Sequence, residues 1–126
     1  MNEPLAAQGA SIRLTVEAAV MALRRIAGSW ELDRYDAASL IAAGADDFSK
    51  IEWSEDRLTR VGHLIELDKA LHELNPKFGI AHWIKNANPG PFFGGNSPLQ
   101  MMTGSTRGMV ELLNQVRRWS KSTGRS

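Results

Sequence analysis

The chain has no cysteine among its 126 residues, which excludes disulfides and thiolate metal sites and leaves no sign of an oxidising compartment. No apolar run reaches the roughly 18 residues that a membrane helix needs. The opening Met1-Asn2-Glu3-Pro4 lacks the basic start and apolar stretch of a secretion signal. The expectation is a cytoplasmic protein without membrane attachment. Sustained period-2 alternation of strand formers is also missing, so no sheet is expected.

Catalytic patterns are equally scarce. No serine sits in a nucleophile elbow. His63 and His72 are nine residues apart, about 180° around an ideal helix, so they do not clasp one ion, and His82 stands alone. Gly94-Gly95 precedes a helix start, but it is neither a Walker motif nor a GxGxxG, and no strand leads into it. A structural turn is the better reading, because glycine permits backbone angles that other residues avoid. No cofactor is implied, and the expectation is a protein that is not an enzyme.

What the chain does have is helical periodicity. Val16, Val20, Leu23, Ile26, Ala27 and Trp30 fall on one face of a helix. Asp33 is the N-cap of a short second helix carrying Ala37, Ala38, Leu40 and Ile41, with Gly44 as its terminator. Asp46–Trp53 has the length of a third helix. Ser54 caps a long fourth helix, with Glu55 and Asp56 at its positive end and an Asp56/Arg60 pair. Leu58, Val61, Leu64, Ile65, Leu71 and Leu74 form its apolar stripe, and Asn75-Pro76 stops it.

Beyond Pro76 a helix is expected around Ile80–Lys85, then a Gly/Pro-rich loop. Ser97-Pro98 starts another short helix, closed by Gly104. Met109, Leu112, Leu113, Val116 and Trp119 align along the last one, and the polar, basic residues 120–126 read as a frayed tail. The fold class is all-α, with six or seven helices.

Charge is split unevenly. Residues 1–74 carry eight Lys/Arg and thirteen Asp/Glu, whereas residues 75–126 carry seven Lys/Arg and one acid, Glu111. Either the second half meets an anionic partner, or the two halves attract one another.

Residues 33–53 have the punctuation of a helix-turn-helix. A recognition helix that meets phosphates should be surrounded by Lys and Arg. This one opens with Asp46-Asp47 and contains Glu52, so its candidates are Ser49 and Lys50, with Arg57 and Arg60 just beyond.

One ordered pattern is recognisable: Trp83, Asn88-Pro89, Phe92-Phe93-Gly94-Gly95-Asn96-Ser97-Pro98-Leu99, Met102, Gly104, Val110 and Leu113. It resembles the C-terminal domain of the Xre/MbcA/ParS family of bacterial antitoxins. The resemblance extends more loosely over Val16–Trp119, where the upstream half is similar to the family's Xre-type helix-turn-helix. It implies a helix-turn-helix lobe with a linker helix at 15–74 and a toxin-binding domain at 75–120; Pro4, Gly9 and weak periodicity suggest a flexible arm at 1–14, and composition a basic tail at 121–126. It further implies a homodimer that neutralises a RES-domain, NAD-degrading toxin by covering its active site, and that represses its own operon through operator DNA. The alternative is a stand-alone Xre-type DNA-binding regulator.

Within this pattern Trp83, Gly94, Gly95, Ser97, Pro98 and Leu99 read as structural. Phe92, Phe93 and Asn96 are candidates for toxin contact, one phenylalanine packing on Trp83 and the other facing the partner. The basic residues Arg117, Arg118, Lys121 and Arg125 are candidates for an acidic cleft, since arginine presents a planar set of donors to anions. That last assignment comes from the charge of the residues and not from a family motif.

Overall fold

The computed structural model describes residues 14–43, 50–88 and 92–124, and these form six helices and no strand. In chain order they are α1 (Val16–Ser29), α2 (Arg34–Leu40), α3 (Glu55–Leu74), α4 (Ile80–Lys85), α5 (Pro98–Gly104) and α6 (Thr106–Gly124). None is long and apolar enough to cross a membrane.

Side-chain caps start most of these helices. The Thr15 hydroxyl accepts from the Ala18 amide, Asp33 from Asp36, and Ser54 from Arg57, each satisfying an N–H that the helix leaves orphaned. At α5 the cap is reciprocal: Ser97 Oγ accepts from the Gln100 amide at 3.1 Å, and Gln100 Oε1 accepts from the Ser97 amide at 2.8 Å. Pro98 at the first helical position completes that start. Ser105 Oγ accepts from the Gly108 amide within the first turn of α6.

The helix ends differ from what the sequence predicts. α2 stops at Leu40 and not at Gly44, which lies outside the described residues. The left-handed residue is Ala42, with φ 58°. The Ala43 amide donates to the Ala38 carbonyl and the Ala42 amide to Ser39, the paired bonds of a Schellman motif. α1 ends in the same way: Glu31 has φ 55°, and the Leu32 amide donates to the Ala27 carbonyl. In both motifs a residue with a β-carbon stands where glycine is the usual choice.

Asp46–Trp53, expected as a third helix, lies outside the described residues up to Ser49, and Ile51–Trp53 runs without regular structure. α6 is longer than expected and continues to Gly124. Ser120, which reads as tail in the sequence, is buried and donates to the Glu73 carboxylate of α3 at 3.3 Å.

α3 is the axis of the molecule. α6 packs along one side of it and α1 along another, while α5 lies against α6, α2 and α4. A helix covered from two sides buries a broad face, and α3 buries Val61, Leu64, Leu67, Ala70 and Leu71. One continuous cluster runs from Leu23, Ile26 and Trp30 through these residues to Ile84, Phe93, Met102, Met109, Leu112 and Val116. The core therefore crosses the expected boundary at residue 74 without a break. At the α5–α6 corner a β-carbon on Gly108 would overlap the Met101 carbonyl oxygen, so glycine is what lets the two helices meet.

Two ionisable side chains of α3, Arg60 and Asp68, are buried. Asp68 is 4% exposed and takes three partners. The Trp30 indole Nε1–H donates to its Oδ1 at 2.9 Å, and Arg25 Nη1 donates to its Oδ2 at 3.2 Å, both from α1. His72 Nδ1 lies 3.6 Å from Oδ1 and 2.8 Å from the Asp68 carbonyl oxygen. Trp30 is fully buried, so without Asp68 its indole N–H would be a buried donor with no acceptor.

Asp68→Ala is expected to cost about 2–3 kcal/mol of stability, the usual penalty for stranding a buried donor and losing a charged acceptor. Urea unfolding followed by tryptophan fluorescence checks this; a loss below about 0.5 kcal/mol, the level of a neutral surface change, would refute the role given to this carboxylate. Ala42→Gly is expected to stabilise by about 1 kcal/mol by relieving the left-handed strain, read as a rise in the urea midpoint at unchanged slope.

Candidate functional site

The expected working surface resolves into an aromatic corner and a charged slot, both built on α6. The corner begins at the turn that leads into α5. Gly94 and Gly95 have φ 57° and 87°, a backbone that reverses the chain directly after two phenylalanines. The Asn96 amide donates to the Phe93 carbonyl and closes the turn. Asn88 Nδ2 donates to the carbonyls of Trp83 and Asn86, holding the chain beyond α4.

The two phenylalanines separate by role. Phe93 is buried and meets Trp83 edge-on, with ring centroids 6.0 Å apart. Phe92 is half-buried and meets Phe93 at 5.1 Å and Trp119 of α6 at 5.9 Å. Phe93 is thus a core residue and its expected partner contact is not available, whereas Phe92 and Trp119 keep part of their rings at the surface. Asn96 is exposed; Ser97 and Pro98 are buried, and Leu99 is half-buried against the core. Trp83 is half-buried on α4. Sequence reasoning missed that Trp119 joins this corner, although its place on the apolar stripe of α6 put it near the core.

The charged slot lies between α3 and α6. It has a volume of about 360 Å³ and is lined by Glu66, Lys69, Ala70, Glu73, Arg117 and Lys121. Arg117 is not free to probe a partner: its Nη2 donates to Glu66 Oε1 at 2.6 Å. Both side chains are about half exposed, so solvent screens the pair and it contributes little to stability. Arg118 is exposed and donates only to Gln115 on its own helix, at 2.9 Å. Lys121 is exposed, and Arg125 lies outside the described residues. Where α3 meets α6, acids of the first half face bases of the second, so part of the charge asymmetry is spent inside the fold.

His63 senses the same region. It is half-buried on α3, and its pKa is lowered from the ordinary 6.5 by burial first and by the nearby Arg117 guanidinium second. Both effects disfavour the imidazolium.

The candidate DNA surface holds less than its sequence promised. Ser49 lies outside the described residues, and Lys50 is exposed. Arg57 donates through Nη2 to the Ala42 carbonyl at 3.0 Å and through Nη1 to the Glu52 carbonyl. Arg60 is 9% exposed; its Nε donates to Asp56 at 3.3 Å, and its Nη1 lies 3.5 Å from the Leu40 carbonyl oxygen. These arginines supply donors to the open carbonyls at the end of α2, where cations are favoured. Arg60, buried in that role, is not presented to a phosphate, and Arg57 is largely committed. Among the described residues no three His, Cys, Asp or Glu side chains gather as a metal site.

Comparisons with protein-family models, with curated proteins and with solved structures give no match to this chain.

The lowered pKa of His63 has a consequence for stability. The unfolded chain takes up the proton near pH 6.5 and the folded chain at lower pH, so folding is opposed as pH falls through that window. His63→Gln is expected to flatten the loss of stability between about pH 6.5 and 5 that the parent shows. Thermal melts across that range test it, and parallel profiles for the two proteins would count against the assignment.

Proposed function

We propose that this protein is an antitoxin: a helical interaction module that binds a protein toxin, of the NAD-degrading RES-domain class, and blocks access to its active site. The observation that carries the reading is the turn Phe92–Leu99. Its glycines and capping box tie the turn to the core, and it holds Phe92 beside Trp119, both half-buried. Rigid, partly exposed aromatics make effective anchors, because little conformational entropy is lost when a partner covers them.

Arg118 and Lys121 follow on α6 as exposed cations, suited to an acidic rim around that anchor. Arg117 is assigned instead to orienting the slot through Glu66. In this reading the resemblance of the Trp83–Leu113 pattern to the Xre/MbcA/ParS family supplies the partner class. The arrangement of Phe92, Trp119 and Arg118 supplies the surface.

Self-repression and dimerisation belong to the same proposal and rest on the resemblance alone. A stand-alone DNA-binding regulator gains nothing from Arg57 and Arg60, whose donors are taken up by the end of α2.

Co-expression with the product of the neighbouring gene is expected to give a stoichiometric complex on size exclusion, burying more than about 1,000 Å². Phe92→Ala and Arg118→Glu are each expected to weaken it by about tenfold or more, Arg118→Glu with the antitoxin's own melting curve little changed and Phe92→Ala with a lowered one, since Phe92 also packs on Phe93 and Trp119. Separate elution of the two proteins, with the neighbour's toxicity unaffected, would sink the proposal.

A further inference from the structure

A second cleft lies where the end of α1 faces the start of α4, and the antitoxin reading makes no use of it. Its volume is about 560 Å³, within the range of roughly 300–1,000 Å³ typical of small-molecule sites. Ser29 and Glu31 line it from α1; Phe78, His82, Lys85 and Asn86 line it from α4 and the turn before.

Three features make this lining unusual. Phe78 is 71% exposed, a large ring on which no core residue packs. His82 meets it edge-on at 5.4 Å, and the Lys77 ammonium lies over the ring, 5.5 Å from its centroid, so nitrogen donors stand beside it on a cleft that Ile80 and Ala81 also line. Glu31 and Lys85, opposite in sign, are both exposed on the same cleft, and within the described residues neither side chain is held by a hydrogen bond or ion pair. Glu31 stands in the left-handed position that ends α1, as Ala42 does after α2. The far wall is held by Asn86, whose Nδ2 donates to the His82 carbonyl at 2.7 Å.

A largely exposed aromatic ring, cations and a carboxylate on one cleft match a flat, hydrogen-bonding anion, stacked on the ring face that Lys77 leaves open. An apolar peptide would leave the polar lining unsatisfied. We propose that this cleft binds a guanine nucleotide unit, with the base stacked on Phe78, its Watson–Crick edge on the Glu31 carboxylate and its phosphate at Lys85 and Lys77. A carboxylate only accepts hydrogen bonds. Guanine presents two adjacent donors on that edge, N1–H and the N2 amine, whereas adenine presents one, the N6 amine. The shared chemistry is that of a free nucleotide or of a guanine within a single strand, where stacking on an aromatic platform beside basic residues is the common mode. This inference does not depend on the antitoxin reading.

Calorimetric titration of the full chain with GMP, with AMP and with a short guanine-containing single-stranded oligonucleotide tests it. GMP is expected to bind, with AMP about tenfold weaker for the lost hydrogen bond. Phe78→Ala should weaken GMP by about tenfold or more, the worth of one stacked base. Glu31→Gln should remove most of the preference for GMP over AMP, and Lys85→Glu should weaken both ligands, more so at low salt. An oligonucleotide that binds more tightly than GMP assigns the site to a strand; one that binds no better assigns it to the free nucleotide. Absence of GMP binding at millimolar concentration overturns the proposal, as does equal affinity for GMP and AMP. Affinity unchanged in both Phe78→Ala and Lys85→Glu, with circular dichroism intact, overturns it as well.

Discussion

The carboxylate of Asp68 is the constraint on which the packing of this protein turns. It stands on the buried face of the central helix and receives the indole N–H of a fully buried tryptophan on α1. An indole N–H in an apolar core is tolerable only with an acceptor, and a carboxylate in a core only with donors. Each group removes the other's penalty, and Arg25 supplies a second donor from the same helix. The pairing also sets the register of α1 on α3, because Trp30 reaches Asp68 from one position along the axis and not from its neighbours one turn away. With α1 so placed, α6 packs along another side of α3, and the shared core runs from α1 to α6.

The same economy governs the arginines around α2. A seven-residue helix ends with carbonyls that its own backbone cannot satisfy. Arg57 and Arg60, projecting from α3, reach across to Ala42 and Leu40. Residues that look like a phosphate-binding pair in the sequence thus serve as a cap supplied from another helix. The consequence for function is direct: Arg57 and Arg60 are drawn toward the end of α2, while Arg34 and Lys50 remain exposed in the helix-turn-helix-like segment and further exposed cations lie on α6 and beside α4.

The surface then falls into regions of different character. The aromatic corner around Phe92 and Trp119 packs against the core and is continuous with it, which suits a macromolecular partner. The cleft between the end of α1 and α4 is open and polar around a single exposed ring, which suits a small planar ligand. The slot of Glu66, Lys69, Glu73, Arg117 and Lys121 carries one more base than acid, and each of its carboxylates is engaged by a donor from α6.

Helix positions, their starts and much of the core were legible in the sequence, because caps and period-3.6 patterning act over a few residues. Asp33, Ser54 and Ser97 cap as their types predict, and Leu23, Ile26, Leu64, Leu71 and Leu112 are buried as their spacing predicts. The helix ends were less legible: glycine is the favoured left-handed residue, but Schellman bonds hold Glu31 and Ala42 in that conformation at a cost the rest of the fold absorbs. The division of labour between Phe92 and Phe93, the engagement of Arg117 by Glu66 and the burial of Arg60 and Asp68 were decided by tertiary structure alone. Each involves a partner distant in the chain, Trp119 for Phe92, Glu66 for Arg117, Leu40 for Arg60 and Trp30 for Asp68, up to 51 residues away, and no local pattern encodes such a distance. Sequence determined an all-helical chain and where most of its helices begin; packing decided which of its charged and aromatic residues are spent on the fold and which remain at the surface to act.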